Sequence, residues 1–249
     1  MTKHTMKLTA VVLTRNEQKN IEECLKTVRF CDEVIVVDDH SSDNTVKIAR
    51  SLGARVYSRG LHGDFAMQRN FALEKANAEW VLFVDADERV SKKLQAEMIE
   101  VLRKSNDITG YRMKRQDIFL GKKLLFGETA HVELLRLGKK DAGAWKRPVH
   151  EVWEVEGKIG KLHGKLVHYP HPTIAGFLSE INDYTQIESI YRKAFGMKSN
   201  VLQLLLYPLA KFVKNFILLQ GFLDGFPGLV MAFMMSVHSL CVRVKMMEG

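Results

Sequence analysis

Residues 80–84, Trp-Val-Leu-Phe-Val, form an unbroken apolar run that ends abruptly at Asp85-Ala86-Asp87-Glu88. Such a run is the pattern of a strand buried on both faces, as in a parallel sheet covered by helices. In open α/β sheets the ligand crevice lies just beyond the carboxyl ends of the strands. Two carboxylates placed there repel unless a cation sits between them, and a hard divalent ion that also bridges phosphate oxygens fits that place. Taken alone, the same residues also suit an ordinary turn, where Asp is common. The rest of the chain decides between the two.

The first hundred residues alternate strand and helix patterns. Leu8–Leu13, Val34–Val37, Ala54–Tyr57 and Trp80–Val84 are expected strands. Helical spacing joins Ile21, Cys24, Leu25 and Val28, then Ile48, Ala49 and Leu52, then residues 65–76. Asp43 and Ser91 are expected helix caps and Gly53 a helix terminator. Strands and helices at this pace imply right-handed crossovers and a parallel sheet. From about residue 106 to 172 glycines punctuate shorter segments such as Gly110–Lys114 and Val132–Leu137, which suggests a mixed or antiparallel part. The expected division is 1–172 as the α/β domain (1–105 and 106–172 as its halves) and 173–249 as a helical appendage.

The 249 residues suffice for one large α/β domain. A net charge of +8 suits an anionic partner: phosphorylated substrate, membrane surface or nucleic acid. Scattered lysines, with no aromatic-studded strand face, argue against nucleic acid. Cys24, Cys31 and Cys241 form no CxxC pair and are odd in number, so neither a zinc site nor a disulfide framework is indicated, and a reducing cytosol fits. Met1–Lys7 is short and polar, without the apolar core of a signal peptide.

Three strand ends carry polar, acid-rich loops: Thr14-Arg15-Asn16-Glu17, Asp38-Asp39-His40-Ser41-Ser42-Asp43 and Asp85-Ala86-Asp87. No Gly-x-Gly-x-x-Gly and no Gly-x-x-x-x-Gly-Lys-[Ser/Thr] is present, which excludes the usual glycine-rich phosphate cradles. Together with Gln68-Arg69-Asn70 and Phe83 to Glu88, these loops resemble glycosyltransferase family 2, over roughly the first 170 residues. Bacterial enzymes that build lipopolysaccharide core or related surface glycans are the most similar kind.

The resemblance implies an α/β fold of the GT-A type, a Rossmann-like, mostly parallel sheet flanked by helices. It implies an inverting, metal-dependent transfer from a nucleotide diphosphate sugar. Thr14, Asn16, Glu17, Asp39, Arg69 and Asp85 would bind the nucleotide sugar. Asp87, with Asp85, would hold Mg²⁺ or Mn²⁺. Glu151 stands where the family places an acid on the acceptor side, although this chain has His150-Glu151 where many members have Glu-Asp. A base is needed to take the acceptor's proton, with Asp141 in reserve. His168 or His171 could complete the metal shell, or serve only as hydrogen-bonding residues.

Residues 201–241 are very apolar, interrupted by Lys211, Lys214 and Asp224 and by two expected helix breakers, Pro208 and Pro227. No uncharged stretch reaches the ~18 residues of a spanning helix. Helices lying in a membrane surface, with lysines reaching anionic lipid, fit this pattern; core helices or a dimer interface are the alternatives. The expected setting is the cytoplasmic face of the cell membrane, with a lipid-linked or lipopolysaccharide acceptor. Two rivals remain, a sugar nucleotidyltransferase and an inactive protein that binds a nucleotide sugar.

Overall fold

The structure, a computed structural model, describes residues 8–104 and 107–248. The signal-peptide expectation for Met1–Lys7 falls outside the described residues. In chain order the elements are β1 (Leu8–Thr14), α1 (Ile21–Thr27), β2 (Glu33–Asp38), α2 (Thr45–Ser51), β3 (Arg55–Ser58), α3 (Phe65–Lys75), β4 (Trp80–Asp85), β5 (Glu88–Val90) and α4 (Lys92–Arg103). There follow β6 (Ile108–Phe119), β7 (Lys122–Lys123), β8 (Glu133–Lys139), β9 (Gly143–Lys146), β10 (Val152–Val155) and β11 (Lys158–His168). Helices α5 (Ile174–Ala194), α6 (Val201–Val213) and α7 (Phe226–Met247) end the chain. Two compact units result: one holds the residues to Arg115 and Glu133–His168, the other Gln116–Val132 and everything from Tyr169.

In the first unit the sheet order is β3-β2-β1-β4-β8-β6-β11-β5. Strands β1 to β4 pair in parallel, and β8 joins β4 antiparallel. Successive side chains point to opposite faces, and helices cover both. Ala10, Val12, Leu82 and Val84 pack with Ile21, Cys24, Leu94 and Met98. Val11, Val37, Val81 and Phe83 pack with Ala66, Ala72 and Leu73 of α3 and with Trp145 and Trp153 of the β9–β10 hairpin. Burial on both sides explains why these strands are apolar without alternation.

Register then gathers the polar strand ends: Leu13 lies opposite Asp85, Thr14 opposite Asp38, and Asp38 opposite Ser58. The expected Ser91 cap forms, its Oγ accepting the Leu94 N–H. Asp43 is not the cap of α2: Asn44 holds that position without a side-chain bond, and Asp43 accepts the Thr45 N–H from the turn just before it. Gly53 adopts φ +85° just past the end of α2, a conformation that glycine adopts readily.

The second unit corrects the expected boundary at residue 172. Gln116–Val132 packs with the C-terminal helices because its hydrogen-bonding partners lie there. The buried Asp224 carboxylate accepts the Leu125 and Phe126 N–H groups, and Asn215 Oδ1 accepts that of Glu128. Phe119 and Leu124 share a small core with Phe177, Ile181, Met231 and Met234.

Pro208 does not break its helix. It lies inside α6, which runs on through a π-turn (Lys214–Leu218), while Pro227 occupies the first turn of α7, where its missing N–H costs nothing. The helical stretches Val201–Leu218 and Phe226–Met247 therefore reach 18 and 22 residues, long and apolar enough to cross a membrane. Both stretches carry charges, Lys211 and Lys214 in the first and Arg243 and Lys245 in the second, so neither is an uncharged run of that length.

Candidate active site

Three consecutive residues of α3 tie that helix to the loop after β3, to the end of β4 and to the β9–β10 hairpin. Gln68 Nε2 donates to Arg59 O (2.7 Å) in the loop after β3. Asn70 makes a reciprocal pair with the β9 backbone: its Nδ2 donates to Trp145 O (2.9 Å) and its Oδ1 accepts from Trp145 N (2.8 Å). Between them Arg69, 2% exposed, donates to Asp85 Oδ1 (2.8 Å) and Glu151 Oε1 (2.7 Å). Its guanidinium carbon lies 4.8 Å from the Trp145 ring centre and 5.6 Å from that of Phe83. Trp145 in turn stacks on Trp153 at 5.4 Å. An arginine is suited to this place because its planar fork reaches two carboxylates and also stacks on an aromatic face.

The two aspartates have separate fates. Asp85 is held by both Arg69 and Arg136, whose Nη2 lies 2.7 Å from Oδ2. Burial alone would raise its carboxyl, but the Arg136 and Arg69 guanidiniums outweigh that and hold it well below the usual carboxylate range. Asp87 instead faces His168, with Oδ2 and Nε2 3.1 Å apart. Strand pairing explains this, since His168 sits opposite Glu88 where β11 meets β5. Both Asp85 oxygens already accept from arginines, which opposes its expected metal role, while Asp87 faces an imidazole instead; the two side chains are similarly exposed, at 31% and 27%.

The described residues contain no cluster of three or more metal-type side chains. A carboxylate and an imidazole side by side nonetheless suit Mg²⁺ or Mn²⁺, which take few protein ligands when phosphate and water complete the shell. His171 lies elsewhere in bonding terms: its Nδ1 is 3.0 Å from Glu180 and its ring stacks on Phe177.

The other expected residues divide similarly. Asp39 accepts the Leu61 N–H (2.8 Å) and pairs with the exposed Arg15 (3.0 Å). Asn16, at φ +54°, and Glu17 are engaged in stitching the first loop to the second. Asn16 N donates to Ser41 Oγ and Glu17 N to Thr45 Oγ1, while Asn16 Oδ1 accepts from Ser42 N. Thr14 is buried, its backbone oxygen accepting the Asp39 N–H. Asp141 is exposed in the turn after β8, whose Lys139 pairs with Trp80. It therefore lies at the opposite end of β4 from Asp85, and the reserve role as base does not fit.

Two site residues escaped sequence reading. Glu88 is fully buried; its Oε2 accepts the Asp85 N–H (2.9 Å), and burial, then the Asp85 charge, push its carboxyl up to about 7. Arg136 lies in β8 within Leu134-Leu135-Arg136-Leu137. A charge inside an apolar strand was the signal that could have found it, because buried charges are normally paired.

The family model for "Glycosyl transferase family 2" matches residues 9–148. The lipopolysaccharide core biosynthesis glycosyltransferase LpsC of Rhizobium meliloti (strain 1021) is 26% identical, across 95% of this chain and 94% of its own. An uncharacterized glycosyltransferase of Rickettsia typhi, RT0209, is 27% identical across 97% of this chain and 87% of its own. Among solved structures, glucosyl-3-phosphoglycerate synthase from Mycobacterium tuberculosis, in complex with Mn²⁺, UDP and glucosyl-3-phosphoglycerate, superimposes with a TM-score of 0.52. That match has 17% identity and covers 78% of this chain and 81% of the other. Residues 1–349 of TarS from S. aureus give 0.50 at 14% identity, over 97% and 90% of the two chains.

Proposed function

The chain belongs to glycosyl transferase family 2, and on that premise we propose that it moves a sugar, with inversion, from a nucleoside diphosphate sugar to a hydroxyl of a membrane-associated glycan. The acceptor class follows the likeness to LpsC, and UDP as the carrier follows the fold shared with the UDP-bound synthase. The observation that carries the reading is the meeting of Asp85, Asp87 and Glu151 around Arg69 and His168 at the end of β4.

Asp87 and His168 would hold Mg²⁺ or Mn²⁺, which supplies charge stabilisation for the departing diphosphate. Asp39 and Asp85 orient the base and ribose. Glu151 takes the proton as the acceptor oxygen bonds to the anomeric carbon and the bond from that carbon to the diphosphate oxygen breaks. Single displacement inverts the anomeric configuration. The test is a panel of nucleotide sugars with Mn²⁺ present or chelated. Metal-dependent release of a nucleoside diphosphate is expected, whereas release of pyrophosphate would select a nucleotidyltransferase, and binding without turnover an inactive relative.

The second unit supports the membrane setting. Leu202, Leu205 and Leu209 are 64%, 65% and 61% exposed along α6, and the exposed Lys214 follows in the π-turn. Monomeric soluble proteins seldom show an apolar patch on this scale. The stripe would lie in the cytoplasmic membrane surface, with the lysines toward anionic headgroups. Wild-type protein should float with phosphatidylglycerol vesicles and a Leu205→Asp/Leu209→Asp variant should sediment; equal flotation of both would refute this contact.

A further inference from the structure

We propose that Arg136 is a positioning residue of the transfer: acting through Asp85 and Arg69, it fixes which oxygen of Glu151 is free to take the acceptor's proton. This rests on the role of Glu151 proposed above. Four side chains of alternating charge form a line from β8 to the loop before β10: Arg136, Asp85, Arg69, Glu151. Arg136 Nη2 holds Asp85 Oδ2 at 2.7 Å, and Arg69 Nη2 holds Asp85 Oδ1 at 2.8 Å. Arg69 Nε and Nη2 then both reach Glu151 Oε1, each at 2.7 Å. Oε1 is thereby committed, which leaves Oε2 for the acceptor hydroxyl.

The need for Arg136 follows from the geometry of a guanidinium. Its planar fork prefers two parallel bonds to the two oxygens of one carboxylate. Were Asp85 Oδ2 free, Arg69 could turn that fork fully onto Asp85 and release Glu151. With Oδ2 taken by Arg136, Arg69 keeps one contact on Oδ1 and directs its Nε edge to Glu151.

The two arginines of the line are shielded, which strengthens their charged contacts, while Asp85 opens to the crevice with 31% of its side chain exposed. The Arg69 and Arg136 side chains are 2% and 7% exposed, and both guanidiniums lie over Trp145, at 4.8 and 5.8 Å. Glu88 Oε1 also lies 4.0 Å from Arg136 Nη2, and the Asp85 carboxylate is further biased by the His168 charge. Arg136 itself is 6% exposed and buried in its strand, so it acts through its neighbours.

The experiment follows the Glu151 carboxyl directly by ¹³C NMR of glutamate-labelled protein at one fixed pH, with Glu151→Gln to assign the signal. Arg136→Gln removes both charge and fork, and is expected to move the Glu151 carboxyl signal as Arg69 leaves Oε1. It should also lower the rate of nucleotide release about tenfold, with donor KM changed less than about threefold. Arg136→Lys keeps the charge and should recover at least part of both effects. It also stands in if the glutamine variant fails to fold, then showing a smaller displacement of the same signal than the change to glutamine would give. A merely structural arginine would lower the thermal midpoint and leave the Glu151 signal unmoved, and that result would overturn the proposal. If Glu151→Gln retains turnover, the assignment of the base is wrong, while the carboxyl signal still judges the role of Arg136.

Discussion

Glu151→Gln is expected to lower the rate of transfer at saturating donor by roughly a thousandfold, within the range for loss of a positioned base. Glutamine still presents an oxygen to Arg69 Nε, so the hairpin that carries Trp145 and Trp153 should keep its place. Donor binding should barely change, because the role proposed for Glu151 is toward the acceptor. Steady-state rates of nucleotide release, read beside calorimetric binding of UDP with Mn²⁺, separate the two effects. Weakened UDP binding with an unchanged rate would assign Glu151 to the donor instead.

Asp87→Asn is the second large expected effect. Asparagine keeps the shape but loses the charge that a divalent ion needs, and His168 alone is a poor partner for Mg²⁺. Turnover should fall by at least about a hundredfold, in line with losing a metal that stabilises a leaving group. UDP affinity should lose most of its dependence on Mn²⁺. Asp85→Asn is the informative contrast. It keeps one acceptor oxygen for one arginine, turns an amide NH2 toward the donors of the other and leaves both charges uncompensated, so it should cost stability as well as rate. A full Mn²⁺ response in Asp87→Asn, measured by calorimetry, would place the ion elsewhere.

Much of the first unit could be read directly because the signal was local. An apolar run ending in Asp85 is a buried strand whichever helices cover it, and the Ser91 cap needs only its own turn. What could not be read depended on distant partners. Gln116–Val132 looks like part of the sheet region until Asp224, about a hundred residues later, supplies the acceptor for its backbone. Asp85 and Asp87 look alike in sequence, and only Arg69 on α3 and Arg136 on β8 distinguish them. Asn16 and Glu17 occupy the expected loop, yet their bonds run to Ser41, Ser42 and Thr45. Pro208 was read as a break because proline removes a helical bond, whereas the helix continues through it.

The three hooks on α3 bear on how the crevice comes into being. Neighbouring positions on a helix fan out by about 100°, so Gln68, Arg69 and Asn70 engage their loops in three directions from less than one turn. Any rotation or sliding of α3 that improves one engagement spoils the other two. The loop after β3, the end of β4 and the β9–β10 hairpin should therefore order and melt together, as one cooperative unit rather than as independent flaps. Substrate selectivity in such a chain would be altered more readily in the loops outside these anchors than at the anchors themselves.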